Sequence, residues 1–178
     1  MLVHIGYHKT GSTWLQEAYF PRHAGISLAG TSGGLLPAIV FPHDFDFSPE
    51  QARGRFQPAI DEAAHRGLTP VFSSERLSGT PHAGGYDSVR IAHRLLEVFP
   101  EAQIVIVVRE QASAIDSTYR QYVKRGGVCK LADYLDPPRD GRMPLFRLDH
   151  FRYDRLAALY SELFGRGQVH VLVFEELR

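Results

Sequence analysis

An α/β fold with a parallel central sheet flanked by helices is what this chain predicts, on three observations. The first fourteen residues, MLVHIGYHKTGSTW, read as a buried strand, a tight loop and the first turn of a helix. Strand-like and helix-like segments alternate from one end to the other, as parallel strands joined by right-handed crossovers require. In QIVIVV, Gln103 to Val108, every residue from Ile104 on is β-branched and no polar alternation appears, as in a strand covered on both faces.

Leu2 to Ile5 forms the first strand, which breaks at Gly6. No glycine or proline interrupts the chain from Ser12 until Pro21, so a helix follows. Gly25 to Leu36 holds four glycines and leads into Pro37 and Pro42, so it reads as mostly loop around a short strand at Ile26-Ser27-Leu28. In FPHDFDF, Phe41, Phe45 and Phe47 lie in a loop, where they are expected to cover the core edge, with lining an acceptor pocket as the alternative. Ser48 caps a helix with Pro49 at its first position and Gln51 three after the cap. That helix runs to about Arg66 and stops at Gly67. TPVFSS, Thr69 to Ser74, is a second buried strand with Glu75-Arg76 at its end. Asp87 caps a helix whose apolar face carries Ile91, Ala92, Leu95 and Leu96 and which ends near Phe99-Pro100. Arg109 closes the Gln103–Val108 strand, and a helix from about Gln111 to Lys124 follows before Gly126-Gly127. Asp136 to Pro144 is a proline-rich loop. Asp149 to Gly165 is an amphipathic helix with a glycine stop, and Gln168 to Phe174 is the last strand.

The 178 residues carry 20 Lys+Arg against 20 Asp+Glu, so the net charge is zero and the total suggests no nucleic-acid-binding surface. Hydrophobic residues at 44% and charged residues at 22% are ordinary for a soluble chain able to bury a core. The length fits one domain spanning 1–178, with no repeat, low-complexity tract or linker to divide it. Cys129 is the only cysteine, which leaves no internal disulfide to form. No basic segment leads into an apolar stretch at the N-terminus, and no run approaches the ~18 apolar residues of a membrane span, so a cytoplasmic protein is expected. The histidines and Cys129 lack zinc spacing, and Ser73 and Ser74 lack a G-x-S-x-G elbow. Neither a metal site nor a serine nucleophile is expected.

Ligands of parallel α/β sheets gather at the carboxyl ends of the strands, and Lys9, Glu75 and Arg109 each lie just after a predicted strand. The loop from Gly6 to Gly11 leaves backbone N–H groups without intrahelical partners. It points them, with the positive end of a helix dipole, at one spot where an anion belongs. Gly6 and Gly11 have the separation of the nucleotide-triphosphate loop G-x-x-x-x-G-K-[ST]. Ser12, however, stands where that motif has its lysine, and Lys9 lies two residues before Gly11, which disfavours an ordinary ATP or GTP site.

KTGSTW, Lys9 to Trp14, resembles instead the 5′-phosphosulfate loop of the sulfotransferases, whose pattern is close to K-[ST]-G-[ST]-T-W. VVREQASAIDSTYRQY adds a second resemblance: a strand-end arginine, Arg109, followed eight residues on by Ser117 and then Tyr119, with Glu110-Gln111 where the family has asparagine-proline. The late stretches YDRLAALYSELFG and VHVLVFEEL also fit, so the resemblance covers nearly the whole chain. It implies the P-loop-like, three-layer sulfotransferase fold. It further implies an enzyme that transfers a sulfuryl group from 3′-phosphoadenosine 5′-phosphosulfate (PAPS) to a hydroxyl or amine of a carbohydrate, lipid or small metabolite, releasing 3′-phosphoadenosine 5′-phosphate without a metal.

Carried over residue by residue, the resemblance assigns Lys9, Thr10, Gly11, Ser12 and Thr13 to the 5′-phosphosulfate, with Lys9 also catalytic on the leaving phosphate. Trp14 packs on the adenine or belongs to the core. Arg109 and Ser117 hold the 3′-phosphate, a role that suits the two parallel hydrogen bonds of a guanidinium fork and the third of a hydroxyl. VFSSERLSG resembles the carbohydrate-type and bacterial members with a glutamate where the cytosolic small-molecule enzymes carry histidine, which implies Glu75 as base. His8, His43 and His82 are rival bases, and a structural pairing of Glu75 with Arg76 is the alternative. Family members continue into a further helix and a basic, glycine-containing loop that closes over adenine and 3′-phosphate, a segment these 178 residues are expected to lack. The acceptor pocket falls to the loops Leu28 to Phe47, Gly79 to Tyr86 and Asp136 to Pro144, whose composition carries no recognisable code. Two other readings stay open: a kinase with an altered phosphate loop, and a nucleotide-binding module without turnover.

Overall fold

The structure is a computed structural model that describes residues 1–137 and 145–177. Positions 138 to 144 of the proline-rich loop lie outside the described residues. Among the described residues five parallel strands form one sheet: β1 (Leu2–Gly6), β2 (Ile26–Gly30), β3 (Thr69–Ser73), β4 (Gln103–Val108) and β5 (Val169–Val173), in the order β2-β3-β1-β4-β5. In register, Val3 stands beside Phe72 on one side and Ile104 on the other.

Helices join the strands. The first, α1 (Ser12–Trp14), continues through a π-helical turn, Leu15–Tyr19, and a 3₁₀ turn, Phe20–Arg22. Then come α2 (Ser32–Leu35), α3 (Pro49–His65), α4 (Ser88–Val98), α5 (Gln111–Lys124), α6 (Leu131–Leu135) and α7 (Tyr153–Phe164). Val3, Ile5, Phe72, Ile104 and Ile106 are fully buried on one sheet face, packed with Phe56 of α3, Leu95 of α4 and Tyr160 of α7. Because strand side chains alternate, Val71 and Val107 face the other way, where Leu15 and Phe20 cover them. A third cluster of Ala114, Tyr134, Phe146 and Phe151 joins α5 and α6 to the segment before α7. The result is a central all-parallel sheet flanked by helices.

The structure departs from the sequence reading in three elements. Residues 32–40 are helical rather than loop, because α2 runs on into a π-helical turn, Leu36–Val40. Leu35 and Ile39, one helical turn apart, are fully buried. That apolar stripe outweighs the cost of Gly33 and Gly34, roughly 1 kcal/mol each against alanine, and that of Pro37, which has no N–H to give and stands where α2 passes into the π-helical turn. Asp87 does occupy the cap position of α4, but its carboxylate accepts from Arg76 and from the Thr80 N–H (3.3 Å) instead of from the helix amides. The last helix starts at Tyr153, not Asp149. His150 and Phe151 turn into the protein from a separate 3₁₀ turn, Leu148–Phe151.

Phe47 packs at the core edge as expected, but Phe41 (68% exposed) and Phe45 (92%) point to solvent. The cause is Arg94, buried beneath that loop. It donates to the Ile39 and Pro42 carbonyls (2.8 and 2.9 Å) and to Asp44 (2.6 Å), and lies 4.3 Å over the Phe47 ring. No helix among the described residues is long and apolar enough to cross a membrane.

Candidate anion-binding cleft

Three adjacent strands, β3-β1-β4, end on the same edge of the sheet and deliver Glu75, the Tyr7–Gly11 loop and Arg109 side by side. Gly6 lets them close up. Its φ is +97°, and a Cβ there would stand 2.8 Å from the Glu75 Cα, so only glycine brings β1 this near the glutamate backbone. Tyr7 N–H donates to the Val107 carbonyl (2.7 Å), and Ser74 N–H to the His4 carbonyl (3.0 Å), which fixes the loop to both neighbours. Beyond β3 the Ser78 hydroxyl donates to the Glu75 carbonyl (2.8 Å) and holds the glutamate backbone in a 3₁₀ turn.

The loop is strained where it turns. Lys9 is the one non-glycine among the described residues with a positive φ, 65°, and Gly11 follows at 80°. A side chain in this left-handed region costs about 1–2 kcal/mol. The conformation is held by the Thr10 hydroxyl, which donates to the Tyr7 carbonyl (2.6 Å), and by Arg109 Nη1, which donates to the Lys9 carbonyl (3.1 Å). The first bond that closes α1 runs from Leu15 N–H to the Gly11 carbonyl, so the amides before it are left at the open helix end.

These residues line a cleft of about 380 Å³ with His8, Lys9, Gly11, Ser12, Thr13 and Glu75 on one part of its wall. Arg109, Ser117 and Gln121 complete it. Two basic side chains, Lys9 and Arg109, face it against one acidic side chain, Glu75. Two buried polar atoms of its residues, the Ser12 hydroxyl and Arg109 Nε, have no partner among the described residues. A hydroxyl at a helix start and a guanidinium beside it suit the oxygens of an anion.

His8 is uncharged at neutral pH. Burial, then the nearby His150, His82, Arg76 and Lys9, push its pKa down to about 3. Its Nε2 lies 3.1 Å from the Gly79 carbonyl, so the neutral ring carries its proton there and leaves Nδ1 as acceptor. Arg76 pairs with Asp87, not with Glu75. His82 bonds through Nδ1 to the Tyr134 hydroxyl (2.8 Å) and His43 lies against Phe45, so neither joins the cleft.

Thr10 is fully buried, with its hydroxyl spent inside the loop, and does not reach the wall. Trp14 is not core. It is 53% exposed, stacks on Tyr19 (5.7 Å between centroids), and lines a separate apolar cavity of about 390 Å³ on the α1 face of the sheet. Two cleft or support residues escaped the sequence reading. Gln121 lies one helical turn after Ser117, a spacing that could have flagged it. Phe174 follows β5, whose end is as much a ligand edge as those of β3, β1 and β4.

No family model matches the chain, and no curated sequence matches it. Among solved structures it is similar to a sulfotransferase from Alicyclobacillus acidocaldarius, with a TM-score of 0.65 over 98% of this chain and 73% of that one, at 23% identity. The chain has the sulfotransferase fold. Its all-parallel sheet and flanking helices are the architecture of that fold, and the cleft lies at the carboxyl ends of the strands. In this sulfotransferase-like framework four residues of KTGSTW, Lys9, Gly11, Ser12 and Thr13, line the cleft.

Proposed function

We propose that the protein is a PAPS-dependent sulfotransferase acting on a hydroxyl or amine of a carbohydrate, lipid or small metabolite in the cytoplasm. The observation that carries this reading is the convergence of Lys9, Ser12, Thr13, Glu75, Arg109 and Ser117 on one cleft at three adjacent strand ends. The partnerless Ser12 hydroxyl and Arg109 Nε supply hydrogen bonds of the kind a phosphate or sulfuryl group accepts. When bound, PAPS supplies an activated sulfuryl group and a phosphate as leaving group.

Lys9 and the Gly11 to Thr13 amides neutralise charge that grows on the leaving phosphate, which is electrostatic stabilisation by groups already in position. Arg109 and Ser117 anchor the 3′-phosphate, and Trp14, exposed beside an apolar cavity, offers its ring to the adenine. Thr10 serves from within, by shaping the loop. Glu75 takes the acceptor proton. Among the rival bases His8 alone lines the cleft, and burial lowers its pKa to about 3, which makes the imidazole a weak proton acceptor.

The test is PAPS-dependent transfer to a panel of hydroxyl and amine acceptors. Lys9→Ala is expected to lower the rate about 100–1,000-fold. Glu75→Gln is expected to lower it about 100–10,000-fold while leaving 3′-phosphoadenosine 5′-phosphate affinity unchanged. Activity that survives both substitutions contradicts the reading, and nucleotide binding without transfer to any acceptor points to a binding module instead.

A further inference from the structure

Phe174 stands immediately beyond β5, beside Arg109 at the end of the neighbouring β4. It does not line the cleft. Its ring nevertheless meets both halves of the cleft from behind. A Cβ on Gly11 would lie 3.0 Å from the Phe174 Cε2, so the ring is packed against the glycine itself. The Arg109 guanidinium carbon sits 5.2 Å from the ring centroid, and Arg109 Nη1 in turn donates to the Lys9 carbonyl (3.1 Å). One stack thus runs from Gly11 through the Phe174 ring and the Arg109 guanidinium to Lys9, and its two ends are the two left-handed residues of the loop.

We infer that Phe174 is a positioning residue that holds the Lys9–Gly11 loop and Arg109 in register. The part of the cleft that receives the 5′ group and the part that receives the 3′-phosphate are then one mechanical unit. A left-handed lysine relaxes unless its surroundings fix it, and the ring is the floor on which those surroundings rest. The flat aromatic face is the feature that matters, because it offers apolar contact to Gly11 and a π surface to the guanidinium. The ligand side of this inference rests on the PAPS reading above; the scaffold side does not.

The test compares the full chain with Phe174→Met, which keeps the apolar volume but removes the ring face, and with Phe174→Tyr, which restores it. Amide hydrogen exchange is followed over residues 7–16 without ligand, together with calorimetric binding of 3′-phosphoadenosine 5′-phosphate. Phe174→Met is expected to exchange faster in 7–16 while β1 and β4 keep their protection, and to bind the nucleotide about tenfold more weakly. Phe174→Tyr is expected to match the parent in both. Unchanged exchange in Phe174→Met overturns the inference, as does loss of protection spread evenly over the sheet. If exchange rises as expected but the parent binds no nucleotide, the scaffold stands and the PAPS reading falls. If the parent and Phe174→Met bind equally and exchange equally, the PAPS reading stands and the scaffold falls.

Discussion

Acidification from pH 7.5 to 5.0 is expected to remove much of the protein's stability, through imidazoles that are folded away uncharged. His4 is the cleanest case. It is 1% exposed, bonded through Nδ1 to the Ser73 hydroxyl (2.8 Å), and burial alone pushes its pKa from 6.5 to about 4. The unfolded chain therefore binds a proton at this site between about pH 6.5 and 4 while the folded chain does not. The site's contribution is complete above pH 6.5 and is lost as the pH falls toward 4. At pH 5.0 the loss is about 2 kcal/mol, by proton linkage between those two pKa values. His150, 6% exposed and edge-on to Tyr7, is pushed down to about 4 mainly by burial and adds a similar amount; His8, at about 3, acts in the same direction. Together they approach the ~5–15 kcal/mol that holds a typical domain folded. Urea unfolding followed by far-ultraviolet circular dichroism at pH 7.5 and 5.0 measures the difference. His4→Gln is expected to recover about 2 kcal/mol of it. A difference below about 1 kcal/mol in the parent refutes the reasoning, because buried neutral imidazoles cannot then be in place.

Two further substitutions probe the scaffold. Gly11→Ala forces a side chain into a φ of 80° and against Phe174, so melting is expected to fall by roughly 2–8 °C, and calorimetry is expected to show weaker nucleotide binding; an unaltered melting point contradicts this. Arg94→Met strands the buried Ile39 carbonyl and the part-buried Pro42 carbonyl and is expected to cost about 1–3 kcal/mol in urea unfolding, whereas a loss near zero would show that the Phe41–Phe47 loop does not depend on Arg94.

The parts of the fold that local chemistry writes were legible. The apolar run before Gly6, the β-branched Ile104–Val108 and the Ser48-Pro49 cap each signal their element through neighbours in sequence, and the Ser48 hydroxyl does accept the Gln51 N–H (3.2 Å). Lys9, Glu75 and Arg109 were legible for the same reason, as strand-end residues. The order β2-β3-β1-β4-β5, which makes those three ends adjacent, depends on pairing between strands as far apart as Leu2 and Gln103, and no local pattern encodes it. Helix α2 was hidden because Gly33, Gly34 and Pro37 argue for loop until the burial of Leu35 and Ile39 is known. Arg76 and Asp87 found each other across a turn, which took Asp87 from its expected cap. Phe174 carried no polar group to announce it. Its role comes from what lies above it, Gly11 and Arg109, and both contacts exist only once β5 is beside β4.

The central claim is that the cleft holds the two anionic ends of a 3′,5′-bisphosphorylated adenosine. Calorimetric titration of the chain and of Arg109→Ala with 3′-phosphoadenosine 5′-phosphate, with ATP and ADP as controls, tests it most directly. The account predicts binding that prefers the 3′-phosphate and collapses in Arg109→Ala. Equal binding of ATP and the bisphosphate, or affinity indifferent to Arg109, would contradict it.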